Sequence, residues 1–198
     1  MNKSGEENRS VRNTKRKLRD GLLQLLEEKP INEISVKELT EKVDVNRGTF
    51  YFHYEDIFGL LQSIENDFFD QFDLRLSVNP DTISNEEFFP YLNTIFSFVS
   101  ENGTFCRIML GKHGDIQFVE RIKNRIDTQC SHFWLKYSSD PTMDRYEMYN
   151  AFIINGCVGM IQQWLNVSTS LTVEDITELA VLIIKTSVGP CIATPKSI

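Results

Sequence analysis

Hydrophobic residues return every three or four positions from Val11 almost to the carboxyl end, the interval of helices that each bury one stripe. Val11, Leu18, Leu22, Leu25 and Leu26 form the first stripe and predict a helix over residues 8–28, stopped by Lys29-Pro30. Two short helices follow across a tight turn. Val36, Leu39 and Val43 share a face of the first, and Ser35 ahead of them with Glu38 has the form of a capping box. Asp44 stands where the chain must turn sharply, since Asp accepts left-handed backbone better than most residues, and Val45 can then fold back. Asn46 caps a second short helix that opens Arg47-Gly48-Thr49 and runs through Phe50, Tyr51, Phe52 and His53 to Tyr54.

Asp56 caps a longer helix bearing Leu60, Leu61, Ile64, Phe68, Phe72 and Leu76. After a break at Asn79-Pro80-Asp81, a helix from Ser84 or Asn85 carries Phe88, Leu92, Ile95, Phe96 and Val99 and ends at Asn102-Gly103. A short helix through Phe105, Ile108 and Met109 stops near Gly111, and a longer one bears Val119, Ile122, Ile126, Phe133 and Tyr137. Beyond a loop at Ser138 to Pro141 come the last two: Tyr146, Tyr149, Phe152, Ile153, Met160, Ile161, Trp164 and Leu165, then Val173, Ile176, Leu179, Ala180, Ile183 and Ile184. Nothing between Asp56 and Ser187 alternates long enough to form a sheet. The expected fold class is all-α, about nine helices, divided into an arm with a helix-turn-helix at residues 1–55 and a helical body at 56–198.

The chain has 198 residues, 41% of them hydrophobic, enough to bury a sizeable core. Its net charge of −7 argues against nucleic acid until the charges are located. Residues 1–54 hold 11 Lys and Arg against 9 Asp and Glu, whereas residues 55–198 hold 10 against 19. Arg9, Arg12, Lys15, Arg16, Lys17 and Arg19 form a run with no acid among them. Salt screens exposed charges over roughly 8 Å, so a phosphate beside this run feels the run more than the distant acidic body.

Cys106, Cys130, Cys157 and Cys191 are widely spaced, and no signal peptide or apolar run of about 18 residues is present. A reduced cytoplasm is the expected setting, with no membrane partner. His113 and His132 stand in no two-ligand spacing, no basic cluster flanks a Cys, and no nucleophile and base, Gly-rich phosphate loop or metal-ligand cluster is visible. The expectation is a protein without catalytic residues, metal or cofactor.

A leucine-bearing helix at Leu39, a turn at Asp44, a short helix at Arg47 to Phe50 and the end Tyr51-Phe52-His53-Tyr54 follow one another at a spacing that resembles the DNA-binding domain of the TetR/AcrR family of bacterial transcriptional regulators. The resemblance covers about residues 9–70 by motif and the rest by helical layout. Asp44 replaces the family's usual turn Gly, and Tyr54 its usual Phe. Glu55-Asp56-Ile57 lacks the Lys that often opens the next helix, so affinity leans more on the N-terminal arm.

The resemblance implies that the second short helix enters the major groove of double-stranded DNA. Arg47 and Thr49 then contact base edges or phosphates, or else stand solvated on an ordinary helical hairpin. Gly48 lets the backbone approach DNA closely, or is simply tolerated. Tyr51 and His53 can donate to phosphates, and Asn46, Phe52 and Tyr54 on the same helix and its ends are DNA-binding candidates with them. Phe50 is expected in the core. Ser35, Val36 and Lys37 begin the preceding helix beside the backbone. In the arm, Arg12 and Lys15, with Arg9, reach phosphate or the minor groove, or form a solvated charged face.

The last two helices carry more apolar surface than one protomer hides. In the family such a pair makes a four-helix bundle with its symmetry mate, so a homodimer reading a near-palindromic operator is implied, and Gly156 and Gly159 could admit a close helix. The resemblance also implies an unidentified small-molecule effector inside the body, walled by some of Phe96, Phe105, Phe133, Trp134, Tyr149, Phe152 and Trp164, unless these are plain core. The leading expectation is a ligand-released repressor. The alternative is a module of the same fold that acts through a protein partner, for example as a co-activator, with little DNA binding of its own.

Overall fold

The computed structural model describes residues 9–76, 88–137, 143–167 and 170–188, with no side-chain description at 88, 129–137, 143–145 and 187–188. Among these residues every regular element is helical. Nine α-helices follow in order: α1 Arg9–Glu28, α2 Val36–Lys42, α3 Arg47–His53, α4 Ile57–Arg75, α5 Phe88–Glu101, α6 Gly103–Met109, α7 Ile116–Tyr137, α8 Met143–Asn166 and α9 Val173–Val188, with one 3-10 turn at Ile31–Glu33. They fall into two units. One runs to Gln71 and takes in Gly111–Gly114; the other comprises Phe72–Leu110 and continues from Asp115. The division lies inside α4, whereas the sequence places the boundary at 55/56.

In the first unit α1 buries Leu18, Leu22, Leu23, Leu25 and Leu26, and α4 buries Ile57, Leu60, Leu61, Ile64, Phe68 and Phe69. Leu39 of α2 and Phe50 of α3 are fully enclosed. Gly21 of α1 is buried where α2 ends: a Cβ there would lie 2.2 Å from Val43 Cγ1 and 3.1 Å from Leu39 Cδ1. Only a hydrogen at that position lets α1 and α2 approach so closely.

In the second unit the most extensive helix pairing sets α5 along α9. Tyr91, Leu92, Ile95, Phe96, Phe98 and Val99 of α5 and Ile176, Ala180, Val181 and Ile184 of α9 are buried. Thr177, fully enclosed, donates to Val173 O at 2.7 Å, which satisfies its hydroxyl within the helix. Helix α7 departs from its predicted stripe. Val119, Ile122 and Ile126 are only half-buried, while Phe118 is enclosed and meets the Phe105 ring edge-on at 5.3 Å. The last turn of α4 is tied by two carboxylate pairs, Arg75 with Glu101 at 2.7 Å and Arg125 with Asp73 at 3.0 Å. Tyr146 and Asn150 of α8 both donate to the Asp127 carboxylate of α7. Ser84 and Asn85, the expected start of α5, lie outside the described residues.

Candidate nucleic-acid interface

The helix-turn-helix is built by three local devices. Ser35, in extended backbone, accepts the Glu38 N–H at 3.2 Å and starts α2. The Glu38 carboxylate takes the Lys29 ammonium at 2.7 and 2.8 Å; that bond first, with the Ser35 N–H behind it, holds its carboxyl below the usual range. Asp44 then adopts φ 51°, the left-handed turn position, and Val45 N–H donates to Thr40 O at 3.0 Å. Asn46 accepts the Gly48 N–H at 2.7 Å and starts α3. Extended backbone at Tyr54 ends α3, and Asp56 accepts the Gly59 N–H at 2.7 Å to open α4.

This hinge fixes which side of α3 is free. Phe50 points into the core, with the Tyr51 ring edge-on at 5.6 Å and Tyr54 at 5.9 Å. Tyr51 and Phe52 are 59% and 81% exposed, so the two rings face water beside a buried one. Asn46, Arg47 and Gly48 are exposed, and Thr49, His53 and Tyr54 are half-buried. At the start of α2, the cap Ser35 and Lys37 are exposed and Val36 is half-buried; in α1, Arg12 is exposed and Lys15 half-buried. Ser10, Val11 and Thr14 of α1 and Gly48, Thr49, Phe52 and His53 of α3 line an open cleft of about 360 Å³. No acidic residue lines it.

Nothing in the sequence marks Glu41 as part of this surface. Its carboxylate lies 3.7 Å from Arg47 and 4.0 Å from Lys37, an acid between two candidate phosphate contacts. The Lys37 pair is legible as a four-residue helical spacing, but the Arg47 pair exists only once the turn is folded. Ser10, Val11 and Thr14 were likewise visible only as parts of a helix, not as the second wall of a cleft.

The expected effector residues are scattered in their surroundings. Phe96 is buried with Trp164 edge-on at 6.4 Å, and Phe105 is buried on Phe118. Trp164 and Tyr149 are half-buried, and the Trp164 indole donates to Leu171 O at 3.1 Å. Phe152 is 60% exposed on α8 and is not brought together with these rings. Phe133 and Trp134 lie outside the described side chains. Burial pushes the Cys106 thiol up to about 12 and Cys157 to about 11. Among the described residues no three His, Cys, Asp or Glu side chains converge on a metal position, and no helix is long and apolar enough to cross a membrane.

A TetR-type family model described as a transcriptional regulator C-terminal region matches residues 86–186, just over half of the chain. The chain belongs to the TetR family of DNA-binding transcriptional regulators. An uncharacterized HTH-type transcriptional regulator of Bacillus subtilis (strain 168), YxbF, is 29% identical over 103 residues. That match takes 48% of this chain but only 26% of YxbF, so the chain spans about a quarter of that relative's length. Among solved structures, a TetR transcriptional regulator from Streptococcus agalactiae 2603V superposes with a TM-score of 0.63 at 21% identity, covering 89% of this chain and 96% of the other. The fatty acid degradation regulator FadR from Bacillus halodurans gives 0.65 at 11% identity, covering 91% and 96%. At such identities the structures share the TetR-family fold with this chain, and the family itself is one of regulators, not of enzymes.

Proposed function

We propose that this TetR-family chain is a homodimeric, sequence-specific repressor that acts in the cytoplasm and leaves a near-palindromic operator when a small molecule binds its helical body. The observation that carries the reading is the division of labour on α3: Phe50 is enclosed while Arg47, Tyr51 and Phe52 are exposed on a short, capped helix. Residues 1–55 are the DNA-reading part in this proposal, with Ser35, Lys37, Arg12 and Lys15 on the phosphates. Two such helices meet successive major grooves roughly 34–36 Å apart.

The dimer reading draws on α8 and α9. Met148 and Phe152 of α8 and Leu179, Leu182 and Ile183 of α9 stand 40% or more exposed. Gly156 and Gly159 have open space where a Cβ would be, so a neighbouring helix could lie close against α8. Phe152 fits this face better than an effector wall. Of the expected effector residues whose side chains are described, Phe96, Phe105, Tyr149 and Trp164 remain the proposed surroundings of the effector.

The test is selection of duplex from a random pool by purified protein, followed by titration of the enriched site with Arg47→Ala and Tyr51→Ala. Each substitution is expected to weaken binding by about 1–3 kcal/mol. A double variant that binds as tightly as wild type would remove α3 from the interface.

A further inference from the structure

We propose that Phe52 reads the 5-methyl group of thymine in the major groove, which deepens, and rests on, the DNA-binding reading above. Phe52 is 81% exposed, and the packing of α3 is already supplied by Phe50, which is enclosed. The fold therefore does not require an apolar side chain at position 52. Its neighbours one turn back are Gly48 and Thr49. Gly48 leaves bare backbone: a Cβ there would meet only Asn46 Oδ1, at 3.2 Å. Thr49 adds a methyl and one hydroxyl. This strip offers a ring, a methyl and an unobstructed backbone, with little to read hydrogen-bonding base edges. The apolar group that B-DNA exposes on its major-groove edge is the thymine methyl.

Two further features favour that occupant. The His53 ring stands edge-on to Phe52, centroids 5.0 Å apart, which narrows the directions the ring can take. The cleft beside it, about 360 Å³, is walled on its far side by Ser10, Val11 and Thr14 of α1 and contains no carboxylate. A polyanion can therefore approach this side of α3 without meeting charge of its own sign at the cleft. The exposed Arg9 and Arg12 of α1 supply the opposite sign nearby in sequence.

The experiment uses the full chain and the duplex it enriches. Each thymine is replaced in turn by deoxyuridine, which removes the methyl alone, and each duplex is titrated with wild type and with Phe52→Ala. Wild type is expected to lose roughly fourfold in affinity at one thymine per half-site, and Phe52→Ala to bind the thymine and uracil duplexes there equally. Because Phe52 is exposed, the variant should keep its helix content by circular dichroism. Uracil tolerated at every position by wild type, an enriched site without thymine, or a thymine preference that survives in Phe52→Ala overturns the proposal. Those results leave the DNA-binding reading intact. A protein that enriches no duplex at low salt, including one whose exposed ring serves a protein partner, overturns both.

Discussion

The Arg47 guanidinium stands 3.7 Å from the Glu41 carboxylate, which also has the Lys37 ammonium at 4.0 Å. All three side chains are more than half exposed, between 53% and 64%. Exposed pairs of this kind are weak, so a DNA phosphate can displace the acid from either cation. Glu41 would still remain beside the incoming polyanion and repel it.

Glu41→Gln is therefore expected to tighten binding of the enriched duplex by roughly twofold to fivefold at low ionic strength. The gain should shrink as salt screens the carboxylate. Anisotropy titrations at two salt concentrations measure it. Equal affinities at low salt would place Glu41 away from the phosphates.

Gly21 sets the spacing of α1 and α2. Alanine gains about 1 kcal/mol over glycine in a helix, but its Cβ would sit 2.2 Å from the Cγ1 of Val43, a β-branched side chain with little freedom to withdraw. Overpacking of this kind costs about 1–3 kcal/mol, so the net effect of Gly21→Ala is destabilising. Its urea midpoint should fall, and Val43→Ala in the same chain should restore part of the loss. A single variant as stable as wild type would contradict the close α1–α2 approach.

Burial raises the Cys106 thiol from an ordinary 9.0 to about 12, and the side chain is 1% exposed. The unfolded thiol ionises first as pH rises, so it releases a proton that the native one keeps. The stability from this group is full below about pH 9 and is lost progressively toward pH 12. Cys106→Ala should flatten that alkaline decline. At neutral pH the native thiol should resist alkylation until urea exposes it. Rapid labelling of Cys106 in the folded protein would contradict its enclosure.

The helices were legible because apolar residues recur in each at a period near 3.6, although Phe152 of α8 and Leu179 and Ile183 of α9, which share that period, stand exposed. Leu60, Leu61, Ile64, Phe68, Phe72 and Leu76 are all buried as their spacing predicts, and the Ser35, Asn46 and Asp56 caps and the Asp44 turn follow from side-chain chemistry. Helix α7 was harder: its period fits two neighbouring stripes, and only packing against Phe105 selects the one containing Phe118. The cap of α9, whose first residue Val173 is the one its stripe predicts, is harder to read for a different reason. Thr172 and Asp175 form a reciprocal cap, with the Thr172 N–H to Asp175 Oδ2 at 2.8 Å and the Asp175 N–H to Thr172 Oγ1 at 3.2 Å. Asp there does the work of the more familiar Glu, and its carboxyl is held low by the Thr172 backbone bond first and the hydroxyl second. The interface itself was half legible. Periodicity separates Phe50 from its neighbours, but neither the Glu41 bridge nor the second wall of the cleft exists until Asp44 turns the chain.

The most direct measurement is binding of the enriched duplex, a duplex with one half-site scrambled, and a fully scrambled duplex, each titrated across a range of salt. Two protomers per intact site, affinity at least about a thousandfold above the scrambled duplex, a marked loss when one half-site is removed, and steep weakening with salt are expected. A single protomer per duplex with equal affinity for all three sequences would contradict sequence-specific binding by a dimer.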